Sequence, residues 1–312
     1  MTDGSQANSI WGALSTSIAS TVSSFQNSVV AVHAGGRSTA SGVLWRPGVI
    51  VTVRQAIRRR DGAKVILNNT SDPIDATLAG VDPGTDLAVL RLNPNTPAAE
   101  ALKPAALSLE QTQRVGDFVL AIGRSGLGDI SASAGIIARL GAAWRTWHGG
   151  TLDRLLRPDV RLYVGQVGSA LVDEQGRVLG INTNALARHA VITVPTATVN
   201  RVVDALLERG SVPKPYLGIA MQPVPIPEAA RTQVPKGAEQ LLLVMHLEPG
   251  APASAGGALV GDLILSVAGN LVQTMSEFQR RLATLKAGDT LPIVVLRGGA
   301  QHNLTLTVAH RD

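Results

Sequence analysis

The stretch Gly42-Val43-Leu44-Trp45-Arg46-Pro47-Gly48-Val49-Ile50-Val51-Thr52-Val53 holds two short apolar runs cut by a Pro-Gly turn. That is the pattern of paired strands; in a helix, apolar residues recur every three or four positions. The same pattern extends outward in both directions. Residues 29–32, 42–45, 49–53, 64–67, 76–81 and 87–92 form one set of six runs. Residues 118–122, 134–140, 162–164, 170–172, 178–182 and 190–194 form a second. No helical period falls between them, so the expected fold class is mainly β, with two packed antiparallel barrels rather than a parallel sheet. Asp173-Glu174-Gln175-Gly176 has the polar, glycine-ended composition of a four-residue hairpin turn.

The chain has 312 residues, enough for roughly two domains, and an apolar share of 45% that supplies both with a core. Aromatic residues make up 3%, so those cores are built of Val, Leu, Ile and Ala. The formal charge is +5, but the one dense basic run, Arg58-Arg59-Arg60, has no aromatic residues interleaved with it. It reads as a solvated turn, and no nucleic-acid partner is expected. Cysteine is absent, which excludes disulfides, thiolate chemistry and cysteine-ligated metals. No cofactor and no metal site are read.

No Lys or Arg precedes Arg37 and no long apolar segment opens the chain, so neither a secretory signal nor a membrane span is expected. If Met1 is the native start, the chain is cytoplasmic. A removed leader would make it periplasmic or extracellular.

Ile10, Trp11, Leu14, Ile18, Val22 and Phe25 recur at helical spacing in a Ser/Thr-rich stretch, so residues 1–26 read as an amphipathic helical segment. It has low intrinsic propensity and needs a docking surface, either its own barrel or another subunit. Residues 27–210 form the barrel domain. It closes with a helix over 196–210, whose stripe is Val199, Val202, Val203, Leu206 and Leu207, with Thr196 as expected N-cap and Gly210 as terminator. The two prolines of Ser211-Val212-Pro213-Lys214-Pro215 make a short stiff linker over 211–215. Residues 216–310 form a second domain, with strands near 217–221, 241–247, 263–268, 293–296 and 304–308 and a helix over 276–285. Pro292 is awkward inside a central strand and is expected at a strand's beginning or on an edge.

Four stretches resemble, in order and spacing, the landmarks of the HtrA/Deg (DegP-like) family, trypsin-like serine proteases with a C-terminal PDZ domain. They are residues 41–52, Thr85-Asp86-Leu87-Ala88-Val89-Leu90, residues 116–123, and residues 165–182. Acyl transfer in that family needs a serine hydroxyl activated by an imidazole that a buried carboxylate orients. The family's histidine motif, Thr-Asn-x-His-Val-Val, is here Thr52-Val53-Arg54-Gln55-Ala56-Ile57. Its serine motif, Gly-Asn-Ser-Gly-Gly-Pro-Leu-Val, is here Gly165-Gln166-Val167-Gly168-Ser169-Ala170-Leu171-Val172.

Gln55 therefore stands at the histidine position and Val167 at the serine position, and Asp86 alone remains. An amide has no useful basicity near neutral pH, and an isopropyl group has no lone pair to attack a carbonyl. The amides of Gly165 and Val167 are a vestigial oxyanion hole. The resemblance thus implies a degenerate member, a pseudoprotease. The alternative is an active endopeptidase using a relocated site, with Ser169 as nucleophile and His33, His148 or His189 as base. Asp86 also has a plain structural reading, as an aspartate capping backbone amides before a strand.

Pro215-Tyr216-Leu217-Gly218-Ile219 resembles the carboxylate-binding loop of a PDZ domain of this family. Glu248-Pro249-Gly250-Ala251-Pro252-Ala253 and Gly261-Asp262-Leu263-Ile264 resemble its further landmarks. The resemblance implies a backbone nest for a terminal carboxylate, with the peptide adding as a strand beside Ile219 and Met221. Tyr216, Leu217, Gly218, Ile219, Met221, Gln279 and Leu282 are the candidate peptide-binding residues. The expected function is a non-catalytic scaffold or regulator that binds polypeptide segments or C-termini. It could form a homo-oligomer or a mixed oligomer with an active relative.

Overall fold

The computed structural model describes residues 10–35, 39–58, 62–67, 72–93, 102–110, 112–126, 128–234 and 238–311. Arg59 and Arg60 of the basic run lie outside them. The chain divides into two compact units, Met1–Val212 and Pro213–Asp312.

The first unit opens with α1 (Ile10–Ser24). Ile18 and Val22 pack on the barrel core and Phe25 is buried just beyond the helix, whereas Ile10, Trp11 and Leu14 are exposed. Only the second half of the apolar stripe is thus covered by its own barrel.

Strands β1 (Val29–His33), β2 (Ala40–Arg46), β3 (Val49–Val53), β4 (Ala63–Ile66), β5 (Ile74–Asp82) and β6 (Leu87–Leu92) close into a barrel in the order β1-β2-β3-β6-β5-β4. The apolar runs 29–32 of β1 and 49–53 of β3 are buried throughout, as befits strands packed on both faces. Next come β7 (Phe118–Ser125), β8 (Asp129–Gly141), a short hairpin of β9 (Trp144–Arg145) and β10 (Thr151–Leu152), then β11 (Leu155–Asp159), β12 (Ala170–Val172), β13 (Val178–Thr183) and β14 (Ile192–Pro195). Six of these make a sheet in the order β11-β8-β7-β12-β13-β14, whose end strands lie against each other without a hydrogen-bonded ladder. The sheet curls round on itself, so the second barrel expected here is present and is closed by packing at that one seam.

The expected strand over 162–164 is not one, and the sheet's end strand is β11 instead. With a proline and two charges in five residues, β11 reads in sequence as a loop, which an edge position tolerates. Asp173 makes the expected turn, accepting the amides of Gln175 and Arg177.

Helix α2 (Thr196–Arg209) buries the expected stripe and ends at Gly210, whose φ of 75° closes it. Its N-cap is Pro195, not Thr196. Thr196 is already helical and its hydroxyl donates to the Val178 carbonyl at 3.0 Å.

In the second unit, Lys214 and Pro215, read as linker, belong to β15 (Lys214–Tyr216). It is followed by β16 (Ile219–Pro225), β17 (Gln240–Leu247), the short α3 (Pro252–Ala255), β18 (Leu263–Val267), β19 (Asn270–Leu271), α4 (Met275–Leu282), β20 (Thr290–Arg297), β21 (Ala300–Thr307) and β22 (Ala309–Arg311), which pairs with β15. The main sheet runs β16-β17-β18-β20-β21. Pro292 sits inside β20, a central strand, but the ladder to β18 stops at Ile293, so the missing N–H falls beyond it. Helix α4 is set by a capping box in which Thr274 and Glu277 exchange side-chain and backbone bonds.

Candidate functional site

After β3 the chain makes a single 3-10 turn, Arg54–Ala56, tied to the residue before β6: the Arg54 amide donates to the Asp86 carbonyl at 2.8 Å. Asp86 has a φ of 58°, in the left-handed region that a short polar side chain tolerates better than most. The Gln55 amide N–H donates to Asp86 Oδ1 at 3.2 Å, and the Gln55 side chain donates to Oδ2 at 3.2 Å. Across from the second sheet, the Thr183 hydroxyl donates to Oδ2 at 2.6 Å, and Asn184 Oδ1 accepts from Gln55 Nε2 at 2.9 Å.

Barrel and sheet thus meet at a carboxylate whose neighbours are an amide and a hydroxyl. Asp86 is 3% exposed. Burial pushes its carboxyl above the ordinary aspartate range, against the opposing pull of Thr183, the Gln55 bonds and the Arg54 charge. The capping role read for Asp86 is present, in its bond to the Gln55 amide.

Val167 is half-buried and packs on the barrel core. Around it the loop is pinned at several points. The Gln166 side chain is fully buried, its Oε1 accepting from the Tyr163 amide at 3.0 Å and its Nε2 donating to Ser131 Oγ at 3.0 Å. The Ser41 amide donates to the Val167 carbonyl at 2.8 Å and its hydroxyl to the Gly165 carbonyl at 2.8 Å. Gly168 has a φ of 88°, and a Cβ there would lie 2.2 Å from the Ser41 carbonyl oxygen, so no other residue fits. The amides of Gly165 and Val167 donate to no acceptor among the described residues, which leaves them open to a ligand oxygen.

The alternative residues lie elsewhere. Ser169 is fully buried, and its hydroxyl accepts from Asn182 Nδ2 at 3.1 Å. The His33 ring bonds the Gly126 carbonyl at 3.1 Å, His148 lies in the loop between β9 and β10, and His189 is exposed. Sequence reasoning missed Ser41, Gln166, Thr183 and Asn184, because a buried polar pin and a turn residue share one composition.

In the second unit, among the described residues β16 pairs only with β17, and none of them pairs with its other edge. The amides of Leu217 and Gly218 donate to no acceptor among the described residues. Their carbonyls accept from Ala253 and Glu248, both at 2.9 Å, which straps the loop to residues 248–253. Gly218 has a φ of 70°, and a Cβ there would lie 2.2 Å from that of Ala251. Leu217 is in the core, and Ile219, Met221 and Leu282 are half-buried against it. Gln279 is exposed on α4, and the Tyr216 hydroxyl is bonded to the Glu248 carboxylate.

This is the architecture of a trypsin-like peptidase domain followed by a PDZ domain. Family models agree: residues 40–181 match the trypsin-like peptidase domain and residues 215–308 the PDZ domain. A probable periplasmic serine endoprotease, DegP-like, from Brucella suis is 30% identical over 273 residues, 86% of this chain and 51% of its own. A putative serine protease, HhoB, from Synechocystis is 30% identical over 275 residues, covering 84% and 64%. The chain therefore spans about half the length of the first of these curated relatives. Among solved structures, the serine endoprotease from Yersinia pestis superposes with a TM-score of 0.68 at 27% identity, over 94% of this chain and 98% of that one. The HtrA-type protease AlgW with a decapeptide gives 0.70 at 25%, with the same coverage. The chain belongs to the HtrA/Deg family.

Proposed function

We propose that this chain is a non-catalytic HtrA-like protein that binds polypeptide segments or C-termini through its PDZ domain. One observation carries the first half: the group bonded to Asp86 is the Gln55 amide, which cannot accept a proton from a hydroxyl at neutral pH. Val167, at the family's serine position, has no nucleophile to offer. The open amides of Leu217 and Gly218, beside the free edge of β16, support carboxylate capture in a backbone nest.

A fluorophosphonate probe together with a casein assay tests the inert site: no labelling and no hydrolysis are expected. Saturable labelling abolished by Ser169→Ala would establish the second reading, an active endopeptidase, which the relatives' printed descriptions favour. Titration with free and amidated C-terminal peptides tests the PDZ half, and equal affinity would rule out carboxylate capture.

Assembly belongs to the same reading. The exposed Ile10 and Trp11 of α1 suit a contact with a second copy or an active relative, and light scattering of wild type against Trp11→Ala checks it. Among the described residues no helix is long and apolar enough to cross a membrane. A periplasmic location follows the relatives' descriptions, and cell fractionation tests it.

A further inference from the structure

We infer that the first unit carries a recognition site of its own, a groove that takes extended polypeptide segments bearing acidic side chains. The groove has a volume of about 710 Å³ and is walled by Arg157, Arg161, His189 and Asn184. Asn184 is the residue that accepts from Gln55, so the groove runs into the junction of barrel and sheet. Arg157 stands on β11 and Arg161 just beyond it. Both are exposed, and neither forms an ion pair with any described residue. The Arg161 guanidinium lies 5.4 Å from the centre of the Tyr163 ring, an aromatic contact that steadies the cation.

Among the described residues Asp159 is the one carboxylate in the lining, so two guanidiniums stand with one acid and the groove keeps an excess of positive charge. A planar guanidinium fork matches a carboxylate in two bonds. The lining also holds the apolar side chains of Val160, Leu162 and Val191, which suit side-chain stems better than a free anion. The Tyr163 face is already taken by Arg161, so a stacked nucleobase finds no platform there. His189, at a φ of 57°, holds its place in the wall in a backbone conformation that histidine adopts uncommonly. This goes beyond the PDZ reading and uses none of the PDZ residues.

The test uses the full chain and two fluorescent decapeptides, both N-acetylated and C-amidated so that no terminal carboxylate is present. One alternates Glu with Val and the other alternates Gln with Val. At low salt the acidic peptide is expected to bind roughly tenfold or more tightly than its amide counterpart. The difference is expected to vanish in the Arg157→Gln/Arg161→Gln double variant, whose melting temperature stays unchanged. Equal affinities, a preference that survives the double substitution, or stronger competition by a single-stranded oligonucleotide of matched charge would each overturn the inference. Capture of free C-termini at the PDZ domain is read separately in every case.

Discussion

The side-chain amide of Gln55 and the hydroxyl of Thr183 donate to the same oxygen of Asp86, Oδ2, at 3.2 and 2.6 Å. The carboxylate that would orient a base is thus satisfied by groups that cannot serve as one.

The first prediction concerns Asp86 and pH. Burial raises its folded pKa above the unfolded value of about 3.9, so the folded state holds the proton more tightly. Its contribution to stability is full below the unfolded value and is lost as pH rises through the folded one. Asp86→Asn has no such slope. The stability of wild type minus that of Asp86→Asn is expected to fall as pH rises above the unfolded value of about 3.9. Denaturant unfolding across that range measures it, and a rising difference would contradict the assignment.

Gln55→His with Val167→Ser reinstates the two missing groups beside Asp86 and the open amides of Gly165 and Val167. Saturable fluorophosphonate labelling is expected, with casein hydrolysis about tenfold or more above wild type, a small part of what a complete triad contributes. Either substitution alone is expected to stay silent. Silence of the double variant would show that the loops no longer seat the pair.

Ser169→Ala leaves the fully buried Asn182 Nδ2 without its acceptor. A loss of about 1–3 kcal/mol in unfolding free energy is expected, with no change in probe labelling. A loss of labelling would instead mark this serine as a nucleophile.

Asp262 supplies the opposite pH behaviour. Burial works to raise its carboxyl, but the Arg297 guanidinium, bonded at 2.7 and 2.8 Å, and the Leu259 amide together hold it below the ordinary range. Its stabilisation is present above the unfolded pKa and lost as pH falls through the folded value. Asp262→Asn is expected to lower the melting temperature at pH 7, by an amount that shrinks as pH falls below the unfolded value of about 3.9, as calorimetry would record.

Most of the fold was legible because burial on both faces forces apolar runs such as 49–53, and the turns between them carry glycine and proline. β11 was not legible, since an edge strand can leave Arg157 and Asp159 exposed and can take a buried Pro158 between them. At the candidate site, Gln55 and Val167 were found by the resemblance of their surroundings to the family's histidine and serine motifs. Thr183 and Asn184 were not, because they arrive from a strand about a hundred residues away and nothing local distinguishes them. The position of Pro292 depended on where its neighbour's ladder stops, a matter of register rather than composition.

The fixings of the 163–169 loop have a further effect. The Gly165 carbonyl is held by Ser41 while the next amide, that of Gln166, donates to Tyr163, so one peptide plane is clamped at both ends. The plane after it has its oxygen bound by the Ser169 amide. Neither can rotate without stranding a buried hydroxyl or breaking a turn. The vacant Val167 N–H, which shares that second plane, is therefore aimed in advance, whether or not anything arrives to meet it.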